Sequence, residues 1–214
     1  MNYKSVNGFG ESRFTEKRSI FIGRAQHVQS KEAAEAFIHR IRSEEPAATH
    51  HCYAYCLEPG ARIQKADDHG EPQGTAGRPM LEVLLREEVS NVCVVVTRYF
   101  GGILLGAPGL IRAYTRGCTE ALHAAGLVMF RPFVEVEASF SYAAQGRVDY
   151  ALSGQTVLKR NYGANVTLNL LLAEADVDKV HEVLLNLTSG MLTWKIIQEC
   201  MEPTDASGKP IKRK

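Results

Sequence analysis

Two spacings of apolar residues alternate along this chain, and the changes from one to the other predict its elements. Ser19 to Ala25 reads as a strand with Phe21 and Ile22 at its apolar centre. Ser30 then caps a helix to about Ser43, with Ala33, Phe37, Ile38 and Ile41 at helical spacing. His51 to Leu57 alternates and is rich in aromatic rings, which predicts a second strand, closed by the turn Pro59-Gly60. Asp67 to Gly77 is a polar, glycine-bearing loop. Met80 to Val89 is a short amphipathic helix with Leu81, Leu84 and Leu85 inward. Asn91 to Tyr99 contains the run Val92-Cys93-Val94-Val95-Val96, the signature of a strand buried on both faces. A glycine-rich loop leads into a helix from about Pro108 to Ala125, stopped by Gly126.

The pattern restarts after Arg131-Pro132. Phe133 to Ser141 alternates as a strand and Tyr142 to Ser153 is helical. Thr156 to Tyr162 and Val166 to Ala173 are strands, Val177 to Leu187 is a helix, and Met191 to Met201 is a last strand. That β-α-β-β-α-β order is the ferredoxin-like split pattern. The expected class is therefore α+β. The expected division is a first domain over 1–131, a ferredoxin-like domain over 132–204, and a basic, frayed tail over 205–214.

Charge and cysteine usage narrow the function classes. The formal net charge is +1, which excludes coating nucleic acid by bulk charge but not a local basic patch. Five scattered cysteines, an odd number, point to reduced thiols in a reducing compartment. Cys52 and Cys56 lie on one predicted strand, roughly 13 Å apart at its rise per residue, too far to share one zinc ion. The first ten residues lack a basic-then-apolar signal pattern. The most apolar loop, Gly102 to Ile111, is shorter than the roughly 20 residues that span a bilayer. The expectation is a cytoplasmic protein with no membrane partner.

Two glycine-rich segments carry the candidate chemistry. The first is Asp67-Asp68-His69-Gly70-Glu71-Pro72-Gln73-Gly74-Thr75-Ala76-Gly77-Arg78. The second runs from Arg98 through Gly101, Gly102 and Gly106 to Arg112, with Arg116 one turn further on the same helix face. Each leads into a helix start, whose free N–H groups favour negative charge, and each brings arginines that grip phosphate. Gly74, Thr75, Gly77, Arg78, Arg98, Gly101, Gly102, Gly106, Arg112 and Arg116 form the expected anion or nucleic-acid site. His50, Asp67, Asp68 and Glu71 form an expected supporting polar cluster. The bland alternatives are a crossover packed by glycines and a loop capped by its own carboxylates. Gly101 and Gly106 have Walker A spacing, but Ala107-Pro108 stand where Lys-Ser/Thr is required, which rejects an NTPase. No dinucleotide fingerprint and no serine elbow occur. No catalytic residue, metal or cofactor is assigned.

Taken together, Thr49 to Tyr55, Asp67 to Pro79 and Val96 to Tyr114 resemble the YigZ/IMPACT family. The match is strong from about residue 18 to 125. His69 departs from it, standing where the family usually has an aspartate. The resemblance implies a first domain like the second domain of ribosomal protein S five. It also implies a ferredoxin-like second domain similar to the last domain of elongation factor G. Its eukaryotic members act as regulators of translational control through protein partners. Three functions stay open: a module that binds RNA or the ribosome, a protein-binding regulator, and an enzyme acting on a phosphorylated small molecule.

Overall fold

A strand of consecutive branched residues needs cover on both faces, and in this computed structural model, which describes residues 1–212, β6 (Val92–Tyr99) receives it. It is central in an antiparallel sheet ordered β2 (Phe9–Glu16), β3 (Ser19–His27), β6, β4 (His50–Leu57), β5 (Ile63–Asp67). Strand alternation sends Cys52, Ala54, Cys56, Val92, Val94 and Val96 to one face, where they meet α2 (Gly77–Arg86) and α3 (Gly106–Ala125). Tyr53, Tyr55, Leu57, Cys93 and Val95 point the other way and pack on Phe37, Ile38 and Ile41 of α1 (Lys31–Glu44). Ser30 caps α1, its hydroxyl accepting from the Ala33 N–H at 3.2 Å. A short strand, β1 (Tyr3–Val6), is held by bonds such as Ser90 N–H to the Lys4 carbonyl at 2.9 Å.

The chain packs as two units: Met1–Met129 with Lys212, and Phe130–Ile211. The second contains α4 (Gln145–Ala151), β8 (Thr156–Tyr162), β9 (Val166–Ala173), α5 (Val177–Leu187) and β10 (Thr193–Thr204). These follow β7 (Leu127–Phe140) and pair in the order β10-β7-β9-β8, the ferredoxin-like arrangement. Its core holds Val136, Phe140, Leu168, Leu170, Val148 and Leu184. The alternate residues of β7 and β9 are polar and linked: Thr167 donates to Ser139 at 3.1 Å and Asn169 to Glu135 at 3.4 Å. The class is mixed α and β with antiparallel sheets, and among the described residues no helix is long and apolar enough to cross a membrane.

Several boundaries move. β1, β2 and β5 were not expected, and α2 starts at Gly77 instead of Met80. β7 begins at Leu127, so Arg131-Pro132 lies inside a strand, close to where the second unit begins at Phe130. The expected frayed tail is tied down as far as Lys212. Asp205 accepts from Ser207 and Lys209 N–H groups, and the Lys212 carbonyl accepts from Asn7 at 3.2 Å. Arg213 and Lys214 lie outside the described residues.

Helix α3 lies unusually close to the sheet. A Cβ on Gly23 would stand 2.2 Å from the Gly117 carbonyl oxygen, and one on Gly10 would stand 2.0 Å from the Ala125 nitrogen. Gly23→Ala should therefore force α3 outward and cost about 1–3 kcal/mol. The change would be read as a lower urea midpoint at unchanged slope.

Candidate functional site

The two glycine-rich segments meet over one buried ion pair. Arg98 stands near the end of β6 on the α3 face of the sheet, and Glu71 reaches it from the loop after β5. Arg98 Nη1 donates to Glu71 Oε1 at 2.8 Å, and the two side chains are only 5% and 2% exposed. Tyr114 of α3 donates its hydroxyl to the same oxygen at 2.7 Å, and burial beside that carboxylate pushes its phenol pKa upward. Arg98 Nη2 reaches Ser19 Oγ at 3.3 Å, and its guanidinium lies between the rings of Phe21 and Phe100, 5.5 and 5.4 Å from their centroids. One carboxylate thus joins β6, α3 and the 68–77 loop.

Asp68 serves the backbone of that loop. Its carboxylate accepts from the N–H groups of Gly74 at 2.8 Å, Ala76 at 3.0 Å and Gly77 at 2.8 Å. Ala76 and Gly77 are the cap and the first residue of α2, where N–H groups lack helical partners, and Gly74 lies in the loop before them. Thr75, also buried, donates to the Pro72 carbonyl at 2.7 Å. His69, at φ +42°, fixes the other end. Its N–H donates to Asp67 at 2.8 Å, its Nδ1 accepts from the His51 N–H at 3.1 Å, and its carbonyl pairs with His50 Nδ1 at 2.9 Å. Burial lowers the His69 pKa, with Arg42 and His50 adding to it; burial also lowers that of His51, helped by His69 and Arg42. Cys52 points into the same region, its Sγ 2.9 Å from the Asp68 carbonyl, and burial pushes its thiol up to about 12. Cys52, Cys56, Cys93 and Cys118 are free thiols.

The exposed cations lie elsewhere. Arg112 and Arg116, four apart on α3, line a cleft of about 200 Å³ with Lys17, Glu16, Phe14, Leu105, Gly109 and Ala113. Arg116 stacks on Phe14 at 4.1 Å and pairs with Glu120 at 2.7 Å. Among the described residues Arg112 and Lys17 have no ion-pair partner. Lys17 and Arg18 form the two-residue turn between β2 and β3 with φ of +45° and +66°. Both positive values match the type I′ turn that usually takes Asn-Gly.

The expected site therefore divides. Arg98 is committed to Glu71, and the α2 start with Gly74, Thr75 and Gly77 is already filled by Asp68, so neither is open to an external anion. Arg78 is exposed and paired with Glu82 at 3.3 Å. Gly101 makes room for protein, not ligand, since a Cβ there would stand 2.1 Å from the Arg18 backbone. Gly102 and Gly106 face open space at positive φ. Arg112 and Arg116 are the members of the set that face solvent in one cleft. Lys17, Arg18, Ser19, Phe100 and Tyr114 were not singled out as site residues. A basic pair between two strands was the one signal that could have found the hairpin.

The arrangement defines a mixed α/β protein whose first unit locks two glycine-rich loops over a buried ion pair and turns a basic cleft to solvent. The chain belongs to the IMPACT family. Residues 17–122 match the Impact N-terminal domain. The IMPACT family member YvyE of Bacillus subtilis (strain 168) is 39% identical over 191 residues, 88% of each chain. The IMPACT family member YigZ of Escherichia coli (strain K12) is 36% identical over 188 residues, 86% of this chain and 92% of its own. A solved structure described as a hypothetical protein shares 31% identity over 92% of this chain and 98% of that one, with a TM-score of 0.61.

Glu71→Ala and Arg98→Ala should each cost about 3–5 kcal/mol, because each leaves one buried charge unpaired. Urea unfolding of both and of the double variant should give a less-than-additive total. Stability should also fall as pH drops below about 6.5, since the unfolded chain then takes up protons that folded His51 and His69 resist. His69→Asn, which tolerates positive φ, should flatten that loss in a pH series of urea midpoints.

Proposed function

We propose that this IMPACT-family protein regulates translation by binding RNA, with the RNA of the ribosome as its natural target. The observation that carries the reading is the Lys17–Arg112–Arg116 cleft, where two cations have no partner among the described residues. Arginine on a rigid helix suits phosphate, because its planar fork loses little freedom on binding. The near-neutral net charge fits a contact limited to a few phosphates. Resemblance to the family's regulators of translational control supplies the context. The enzyme reading lacks an available acid or base in the carboxylate cluster, since Asp68 holds backbone N–H groups and Glu71 holds Arg98 and Tyr114.

The test is a salt titration of binding to single-stranded RNA and to ribosomal particles. Three phosphate contacts predict a slope of about −2 for single strands, and Arg112→Ala should reduce it by about 0.7. Affinity should fall alike for all sequences, because phosphate contacts carry no base information. Binding that ignores both salt and Arg112→Ala would remove the cleft from the reading.

A further inference from the structure

Phe100 presents a stiffened aromatic ring to solvent. It follows β6 directly and is 46% exposed. Its neighbour Arg98 lies 5.4 Å from the ring centroid, and that guanidinium is itself immobilised by Glu71, Ser19 and the ring of Phe21. The Phe100 N–H donates to Thr49 Oγ1 at 3.1 Å, which fixes the backbone beneath the ring. In contrast, Phe9, also exposed, packs with the half-exposed Arg40 at 5.6 Å.

The surroundings of Phe100 are basic and open. Gly101, the next residue, abuts the backbone of Arg18, which places the Lys17-Arg18 turn beside the platform. A Cβ on Gly102 would meet nothing within 4 Å, so the approach is clear. The turn holds two cations at positive φ where Asn-Gly would be relaxed. Such strain persists where the surrounding structure and a task maintain it.

We propose that Phe100 is a stacking platform for an unpaired RNA base, with Lys17 and Arg18 taking the flanking phosphates; this rests on the RNA reading above and narrows it to single strands. A rigid ring pairs with any base face, and cations beside it follow the backbone, which is how sequence-tolerant single-strand sites are built. Duplex RNA keeps its bases stacked and offers the ring nothing. Arg98 is then a positioning residue that acts through the ring.

The experiment uses the full chain and short single-stranded RNAs carrying the fluorescent base 2-aminopurine, whose emission falls on stacking. Wild type and Phe100→Tyr should quench it. Phe100→Leu, which keeps an apolar side chain but loses the ring, should not, and it should bind about 5- to 150-fold more weakly at an unchanged salt slope. A matched duplex should bind wild type and Phe100→Leu alike. Thermal melts of each variant establish that it is folded. Salt-dependent binding without quenching, and unaltered in Phe100→Leu, would overturn the platform and leave the RNA reading standing. Loss of ribosome binding in Leu104→Asp, with Phe100→Leu behaving as wild type, would also overturn it and mark the apolar loop as a protein contact. Absence of binding to single strands, duplexes and ribosomal particles alike would end both readings.

Discussion

The bond between Glu71 and Arg98 is the constraint on which the first unit depends. A guanidinium on a central strand, facing the helices, is tolerated only with a charge and hydrogen bonds to meet it. Glu71 supplies both, and it lies within the loop between β5 and α2, which could otherwise lift away. Meeting that need brings the 68–77 loop down, fixes Tyr114 on α3, and orients the ring of Phe100. Breaking such a pair is costly even where replacing it whole with apolar residues would be neutral. The pair therefore reads as a device of position more than of net stability.

This division of labour separates two sets of arginines that look alike in sequence. Arg98, within an apolar strand, is spent on structure. Arg112 and Arg116 lie on the outward face of a helix that buries Leu110, Ala113, Tyr114 and Gly117; Arg116 shares its charge with Glu120, and Arg112 keeps its own for solvent. The α2 start shows the same economy. Its N–H groups do hold an anion, and the anion is the protein's own Asp68. Helix starts attract negative charge in general, and only a filled or empty cradle tells whose charge it is.

Much of the fold was legible because its pattern was strong. The Val92–Val96 run, the spacing of Phe37, Ile38 and Ile41, and the β-α-β-β-α-β order all carry their periods openly. β2 did not, and the reason is physical. Its inward positions are Gly10, Ser12 and Phe14, and α3 presses so close at Gly10 that no side chain fits there. A strand whose inward face reads glycine, serine, phenylalanine has one apolar side chain and no alternation to read. β5 is mostly exposed and borders the sheet, so it too lacks an apolar face. The site was legible in composition and misleading in allocation: the sequence shows which residues are charged, while burial decides which remain available. Arg98 and Gly101 carry the clearest motif and are both consumed internally. Lys17 and Arg18 belong to no motif, and the turn places them outside.

The tight glycines carry a warning for anyone who reads function from mutational tolerance. Gly10, Gly23, Gly77 and Gly101 each stand where another stretch of backbone occupies the space of a Cβ. A saturation library would find all four as intolerant as any ligand-binding residue. Three of them trace seams between strand, loop and helix and say nothing about what the protein binds. Gly101 is the awkward one, because its seam runs directly beneath the exposed ring. Loss of function there would report a displaced hairpin, and only a variant that leaves the glycine in place can separate the scaffold from the surface it supports.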